Sequence, residues 1–280
     1  MISFTEYSFS QEEIQSRAAS IMAEPVTIFT EQELLRFLVS IIDLTTLNGN
    51  DTADSVEKIC QRALAVKNDA LSIPSVAAVC IYPTYVHQAK KWLAGSEIKL
   101  ASVAGAFPSG QSPLHIKVAE VAWTVDQGAN EIDMVISRGK LIEGNDEEVF
   151  DEIKAIREAC ESAHMKAILE TGELNDSALI RYASELAILA GADFIKTSTG
   201  KSNPAATPEA MLIMCETIRE YFDKTGIRIG IKPAGGIATI QEAVKYVRIV
   251  EEVLGKEWLN PELFRIGASR LLDEVLSKIK

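Results

Sequence analysis

Residues 192–199 read ADFIKTST, a short apolar run that ends in a lysine and three hydroxyl residues. A run of this length without polar alternation is typical of a parallel strand that helices cover on both faces. Seven further runs of this kind occur, at 40–47, 75–83, 98–107, 130–137, 165–172, 227–236 and 263–269. The sequence therefore predicts eight buried strands.

Between the runs, apolar residues recur at helical spacing behind residues that favour the start of a helix. The predicted helices span 51–65, 112–127, 145–162, 175–190, 207–224 and 239–254, and two more follow Tyr82 and Ser269. Eight strands that alternate with eight helices predict an α/β fold, the (β/α)₈ TIM barrel. A doubly wound sheet is the competing prediction, but the sequence has no GxGxxG turn after the first predicted strand.

The first 39 residues precede the first strand and contain two amphipathic segments, at 10–22 and 31–38. We expect both to form helices packed against the N-terminal end of the barrel. Residues 1–39 would then be a helical extension, and residues 40–280 a single catalytic barrel domain. The N-terminus lacks the basic and apolar regions of a signal peptide, and no stretch reaches the roughly eighteen apolar residues of a membrane span.

The composition is that of an ordinary globular protein, with 280 residues of which 47% are hydrophobic and 24% charged. The net charge of −12 disfavours nucleic acid and anionic membranes as partners, and an anionic substrate would need a local basic pocket. The four cysteines are far apart and form no CxxC pair, which is typical of a reduced, intracellular protein. We therefore expect a cytoplasmic protein.

Charged residues fall on the predicted strands, where a barrel interior is mainly aliphatic and each charge needs a partner. Among them are Asp133, Lys166, Lys196 and Lys232. Because the active sites of such barrels lie at the C-terminal ends of the strands, we expect these side chains to form one site. A structural network of lysine and aspartate is the alternative interpretation.

Clustered lysines suit amine catalysis on a carbonyl compound. A lysine with its ordinary pKa near 10.4 is almost fully protonated at pH 7, but burial and a second cation both disfavour the charged form. Lys232 can supply that cation to Lys196, because adjacent strands lie roughly 5 Å apart. The neutral amine of Lys196 could then attack an aldehyde or ketone and form an iminium, while Asp133 transfers protons.

Metal and hydrolase chemistry find little support in the sequence. His87, His115 and His164 have no HxH or HExxH spacing and fall in predicted helices or loops, so we expect no metal or other cofactor. No GxSxG motif is present. Cys80 ends the second strand, and we expect it to line the pocket.

Glycine-rich loops after the seventh and eighth strands indicate an anion site, because such loops often hold phosphate through backbone N–H groups. The residues concerned are Gly235, Gly236, Gly267 and Ser269. Thr199, Gly200 and Lys201 add a hydroxyl, a close backbone and a cation from the sixth loop. Together these loops predict a substrate that carries a phosphate group.

The segments IDLTTLN, VCIYP, EIDMV, ETGEL, GADFIKTSTGK, IKPAGG and RIGAS resemble, in order, the motifs of the deoxyribose-phosphate aldolase family. The resemblance covers about residues 41 to 270. It implies a class I aldolase on a (β/α)₈ barrel that splits 2-deoxy-D-ribose 5-phosphate into acetaldehyde and D-glyceraldehyde 3-phosphate. Lys196 would form the Schiff base, Asp133 would donate and accept protons, and Lys232 would lower the pKa of Lys196.

The resemblance also implies substrate contacts and a homodimer. Lys166 would contact Asp133 or substrate, Asp43 and Thr45 would lie near the substrate hydroxyls, and the phosphate would meet the glycine loops named above. Two departures stand out. Arg270 follows Ser269 where many members have a second small hydroxyl residue, and the chain ends without the tyrosine-terminated tail of some members. Another Schiff-base aldolase or transaldolase, or a non-catalytic barrel that binds sugar phosphates, are the alternative functions.

Overall fold

The computed structural model describes residues 2–280, and its strands fall on the predicted apolar runs. The strands are β1 (Ile42–Thr45), β2 (Ala78–Ile81), β3 (Lys99–Ala104), β4 (Glu131–Val135), β5 (His164–Ile168), β6 (Phe194–Lys196), β7 (Gly230–Lys232) and β8 (Ile266–Ala268). Each strand is shorter than its run, because the last residues of most runs turn into the loops that follow the strand.

Helices connect the strands, and several begin at residues that the sequence predicts as caps. They are α1 (Gln11–Ala23), α2 (Glu31–Ser40), α3 (Ala53–Leu64), α4 (Val86–Trp92), α5 (Leu114–Asp126), α6 (Arg138–Ile142), α7 (Asp146–Ala159), α8 (Thr171–Leu174), α9 (Ser177–Leu189), α10 (Pro208–Thr225), α11 (Ile240–Leu254) and α12 (Leu271–Lys278). The short helices α6 and α8 were not predicted. Thr207 caps α10 by accepting a hydrogen bond from the N–H of Ala210, and Pro208 begins that helix.

The strands pair in parallel in the order β7-β6-β5-β4-β3-β2-β1-β8. Backbone hydrogen bonds between the two outer strands close the ring, from the N–H of Ile231 to the carbonyl of Leu263 (2.9 Å) and from the N–H of Gly267 to the carbonyl of Pro233 (3.0 Å). The predicted (β/α)₈ barrel is confirmed.

The two N-terminal helices pack in different places. Helix α2 lies beside α12, and the ring of Phe37 contacts that of Phe264, which precedes β8 at the N-terminal end of the barrel. Helix α1 instead packs on the outside of α10 and α11. Its Arg17 forms an ion pair with Glu216 on α10, which also accepts a hydrogen bond from Tyr7 (2.7 Å). The placement of α1 therefore differs from the prediction, because its buried Ile14 and Ala18 and its ion pair with Glu216 hold it at the side of the barrel.

In the part of the chain that the structure describes, the cysteines and the histidines lie in different environments, and no helix is suited to a membrane. Within residues 2–280, no helix is long and apolar enough to cross a membrane. All four cysteines are buried and carry free thiols. The three histidines are exposed, with His87 on α4, His115 on α5 and His164 at the start of β5.

Candidate active site

Seven charged side chains meet inside the barrel, and each is at most 3% exposed. They are Asp43, Glu131, Asp133, Lys166, Lys196, Lys232 and Arg265. In the strand register, Asp133 lies opposite Lys166 and Lys196 lies opposite Lys232. We call this set the barrel cluster. The structure thus brings together all four charged strand residues that the sequence predicts as one site.

Asp133 is the centre of the barrel cluster. Its Oδ2 accepts hydrogen bonds from the Nζ atoms of Lys196 and Lys232, both at 2.7 Å, and its Oδ1 accepts one from Lys166 at 2.9 Å. Burial opposes the negative charge, but the three ammonium groups hold the pKa of Asp133 well below its usual range. Asp133 is therefore an ionised carboxylate at neutral pH.

A deeper layer of ion pairs supports Asp133. Arg265 donates to Asp43 at 2.8 Å and to Glu131 at 2.9 Å. Lys166 also donates to Glu131, and Lys232 to Asp43. Burial opposes each charge, yet the ion pairs lower the pKa of both carboxyl groups and raise the pKa of Lys166, Lys232 and Arg265. These partners therefore stay charged.

Lys196 behaves differently from the other cations of the barrel cluster. Burial and the positive charge of Lys232 lower its pKa, whereas its one carboxylate partner, Asp133, is shared with two other lysines. Four cations face three carboxylates, so the cluster carries one excess positive charge when all are ionised. Loss of a proton from Lys196 makes the cluster neutral. The amine that can become a nucleophile is therefore the one at Lys196.

A cavity of about 540 Å³ lies above Lys196, at the C-terminal ends of the strands. The predicted substrate contacts that line it are Thr45, Thr199, Gly200, Lys201, Gly235, Gly236, Gly267 and Ser269. Lys196 itself contributes to the lining although its side chain is almost fully buried. Lys196 and the predicted phosphate loops thus line one cavity.

Three other predicted contacts do not line this cavity. Asp43 and Lys166 are fully buried in ion pairs of the barrel cluster, beneath the cavity floor. Cys80 is also fully buried, and its Sγ lies 4.0 Å from Oδ2 of Asp133. Burial raises the pKa of the Cys80 thiol to about 11, so it is protonated at neutral pH. These side chains point into the barrel from inner positions of their strands, where neighbouring side chains cover them.

The loop after β6 is held by a buried carboxylate that the sequence analysis did not single out. Glu170 is 1% exposed and accepts hydrogen bonds from the N–H (3.2 Å) and the hydroxyl of Thr199. The hydroxyl of Thr199 in turn accepts from the N–H of Lys201 at 3.1 Å. Gly235 must be glycine, because a Cβ there would lie 3.1 Å from Cα of Gly200 and 2.6 Å from Cβ of Ala205.

The two helices that follow the glycine loops differ at their N-termini. Helix α11 is closed by its own capping box, in which Thr239 and Glu242 accept the first N–H groups. Helix α12 begins after Arg270 without any side-chain cap. Free N–H groups at a helix start attract anions. The loop from Gly267 to Arg270 therefore suits a phosphate group better than the start of α11 does.

Sequence reasoning missed five residues that the structure brings to the site. They are Glu131 and Arg265 in the barrel cluster, Glu170 behind the sixth loop, and Lys58 and Arg62 at the cavity. A signal for two of them exists, because alternate residues of a strand face the same side. Glu131 stands two positions before Asp133, and Arg265 two before Gly267. The cavity-facing position of α3 has no comparable signal in the sequence.

Comparison with known proteins gives a consistent result. A sequence model of the DeoC/LacD family aldolases matches residues 37–272. The chain is 46% identical over 272 residues to a candidate deoxyribose-phosphate aldolase of Caenorhabditis elegans, covering 96% of this chain and 88% of that one. It is 45% identical over 251 residues to the deoxyribose-phosphate aldolase of Homo sapiens, covering 86% of this chain and 79% of that one. A crystal structure from Coccidioides immitis, of a candidate deoxyribose-phosphate aldolase, has a TM-score of 0.74 at 30% identity and covers 96% of this chain and 98% of that one.

Proposed function

The chain belongs to the DeoC/LacD family of aldolases and is thus a lyase, and we propose that it reversibly cleaves 2-deoxy-D-ribose 5-phosphate to acetaldehyde and D-glyceraldehyde 3-phosphate. The observation that carries this proposal is the position of Lys196, which lies beside Asp133 and Lys232 at the floor of a cavity that the glycine loops line. A neutral lysine can attack the aldehyde group of the substrate, and the cationic residues that line the cavity can bind the phosphate group of the substrate.

The reaction begins when the phosphate group docks on the glycine loops. The neutral amine of Lys196 attacks the aldehyde carbon of the open-chain sugar and forms a carbinolamine. Asp133 accepts the proton that the attacking nitrogen releases and passes it to the former aldehyde oxygen, which completes the carbinolamine hydroxyl. The protonated Lys232, hydrogen-bonded to Asp133, then gives a second proton to that hydroxyl so that it can leave as water. Loss of water leaves an iminium on Lys196.

Carbon–carbon cleavage follows from the electron demand of the iminium. A proton leaves the hydroxyl on the third carbon, the bond between the second and third carbons breaks, and its electron pair forms an enamine. D-glyceraldehyde 3-phosphate departs. Protonation of the enamine carbon restores an iminium, and addition of water releases acetaldehyde and free Lys196. Asp133 and Lys232 relay the protons of these steps, and Lys166 keeps Asp133 in place.

Reductive trapping tests the proposal. The protein is mixed with acetaldehyde, reduced with borohydride and mapped by peptide mass spectrometry. We expect an ethyl group on Lys196 and none on Lys166 or Lys232, because the raised pKa of those two keeps them protonated. The adduct should be absent from Lys196→Ala. Modification of scattered surface lysines alone would contradict the proposal and favour a barrel that binds sugar phosphates without catalysis.

A donor comparison separates this aldolase from other Schiff-base aldolases and transaldolases. We expect condensation of acetaldehyde with D-glyceraldehyde 3-phosphate, and no product with dihydroxyacetone phosphate as the donor. The outcome is read by chromatography of the sugar phosphates. Product from dihydroxyacetone phosphate alone would assign the chain another donor.

Domain organisation, assembly and location also remain proposals. We propose that residues 40–280 form the catalytic barrel domain with residues 1–39 as a helical extension, that the protein forms a homodimer, and that it acts in the cytoplasm without nucleic-acid or membrane partners. Light scattering tests the assembly, since a monomer mass would exclude the dimer. Cell fractionation tests the location.

A further inference from the structure

We propose that helix α3 forms a basic wall of the cavity, where Lys58 and Arg270 bind the phosphate group of the substrate and Arg62 positions the loop that carries Arg270. The basic wall is defined as Lys58, Arg62 and Arg270. The inference rests on the proposed function for the identity of the substrate, but the binding of a phosphate group to the wall can be measured without turnover.

One face of α3 points into the cavity. Ser55, Lys58, Ile59 and Arg62 all line it, and they recur at the three- and four-residue spacing of a single helix face. Buried residues of α3 such as Val56 and Cys60 instead pack against the barrel. The long side chains of Lys58 and Arg62 therefore extend over the cavity.

The charged residues that line the cavity are all cations. Its five ionisable lining residues are Lys58, Arg62, Lys196, Lys201 and Arg270, and no aspartate or glutamate of the described chain lines it. The whole protein carries a net charge of −12, so this is a local reversal of the overall field. A cleft lined by one sign of charge raises the local concentration of the opposite ion. The cavity should therefore favour a dianionic phosphate monoester over an uncharged sugar.

The charged groups of Lys58 and Arg270 are available to bind a ligand. Both are exposed, and between residues 2 and 280 no carboxylate lies within 4.0 Å of either charged group. Some other surface cations are already paired, as Lys140 is with Glu148 and Lys224 is with Glu220. A guanidinium can bind two phosphate oxygens at once, whereas an ammonium acts as a point charge.

Arg62 has another role, because its hydrogen bonds are made within the protein. It donates to the backbone carbonyl of Ser269 at 3.2 Å and to Asp273, in the first turn of α12, at 2.6 Å. These two bonds tie α3 to the loop that presents Ser269 and Arg270. Arg62 is thus a positioning residue, and the free N–H groups at the start of α12 lie on the loop that it holds.

The test compares phosphorylated and unphosphorylated substrates in Lys58→Gln, Arg270→Gln and the double variant. We expect each single change to raise KM for 2-deoxy-D-ribose 5-phosphate about threefold to fivefold, with kcat within about twofold, since each removes one charged contact at a solvent-accessible site. KM for 2-deoxy-D-ribose should not change. Lys154→Gln is the matched control, because Lys154 is exposed on α7 and away from the cavity.

Arg62→Gln and Arg62→Lys test the positioning role. We expect Arg62→Gln to raise KM for the phosphorylated substrate, and Arg62→Lys to recover part of the loss, because an ammonium can keep one of the two bonds but not both. Equal losses with the phosphorylated and the unphosphorylated sugar would mean that the loop is disordered in general, and this would overturn the assignment.

Calorimetry with inorganic phosphate separates this inference from the proposed function. We expect the dissociation constant of phosphate to rise in Lys58→Gln and Arg270→Gln but not in Lys154→Gln, and added salt to weaken binding more in the wild type than in the double variant. That result supports the basic wall even if acetaldehyde fails to trap Lys196. Unchanged phosphate binding and unchanged KM in the double variant would overturn the basic wall and leave the aldolase proposal intact.

Discussion

The barrel cluster and the mouth of the cavity both use lysine and arginine, but in opposite environments. In the barrel cluster each cation is at most 3% exposed and lies within hydrogen-bonding distance of a carboxylate. At the mouth, Lys58, Lys201 and Arg270 are exposed, and none of them forms an ion pair with another described residue. The first arrangement controls where protons reside, and the second leaves positive charge available for a ligand.

The difference has an energetic consequence. Removing one partner of a buried ion pair costs about 3–5 kcal/mol, because the other charge is left without compensation in a medium of low polarity. An exposed charge interacts through water, and its contribution is about 0–1 kcal/mol. Substitutions in the barrel cluster should therefore change stability and proton transfer together, whereas substitutions at the mouth should change substrate binding alone.

Asp133→Asn should give the largest effect. It removes the proton acceptor, so we expect kcat to fall by about 10² to 10⁴. It also leaves three ammonium groups without their common carboxylate, so we expect the free energy of unfolding to fall by about 3–5 kcal/mol. Steady-state kinetics and urea unfolding measure the two quantities. The control is Asp151→Asn, since Asp151 is exposed on α7. A stable Asp133→Asn protein with normal kcat would remove Asp133 from the mechanism.

Lys232→Gln should shift the pH dependence rather than abolish activity outright. Lys196 must be neutral to attack, so activity rises as pH rises through its pKa, which burial and the charge of Lys232 lower. Without Lys232 that pKa rises, so we expect the acidic limb of the kcat/KM profile to move up by about one to two pH units. Activity at neutral pH then falls about tenfold or more, and part of it returns at higher pH.

The matched change at the mouth is Arg270→Gln. It should raise KM and leave the acidic limb of the profile in place, because Arg270 is exposed and water screens its charge. A similar shift of the profile in Lys232→Gln and Arg270→Gln would show that charges at the cavity mouth also affect the pKa of Lys196. An unshifted profile in Lys232→Gln would exclude Lys232 as the group that lowers the pKa of Lys196.

The fold and the clustering of Asp133, Lys196 and Lys232 could be predicted from the sequence, because both leave local patterns. Apolar runs that alternate with amphipathic helices predict the barrel, and a lysine at the end of a buried run such as FIK predicts a charge that needs a partner. Strand neighbours are also known once the order of strands is known, which places Lys232 beside Lys196. The placement of these residues in one site follows from topology.

The depth of a side chain along the barrel could not be predicted in the same way. Asp43, Lys166 and Cys80 lie on strands that meet the site, but whether they reach the cavity depends on the layer in which each side chain is packed. Which residues of α3 face the cavity depends on the rotation of that helix about its axis. The amphipathic pattern predicts which residues are buried, but not which of the others lie at the cavity. Contacts between distant loops, such as Glu170 with Thr199, depend on tertiary packing.

Glu170→Gln should give the smallest effect, and it tests the boundary between the two regions. Glu170 is buried like the barrel cluster, but its acid oxygens accept only from the backbone and hydroxyl of Thr199, at the base of the anion site. An amide can replace one of these acceptors but not both, and a hydrogen bond to a charged group contributes about 1.5–3 kcal/mol. Because the lost hydrogen bond orders the loop and does not contact the substrate, only a small part of this energy is lost from binding. We therefore expect KM for the phosphorylated sugar to rise by about twofold or less.

The pH dependence decides how Glu170 is classified. Because it contacts the phosphate loop and no member of the barrel cluster, the acidic limb of the kcat/KM profile should remain where it is in the wild type. Glu170 would then be a buried carboxylate that contributes to substrate binding. In that case a buried charged group affects proton transfer only if its hydrogen-bond partners belong to the barrel cluster. A profile that shifts in Glu170→Gln as it does in Lys232→Gln would instead make burial the deciding property.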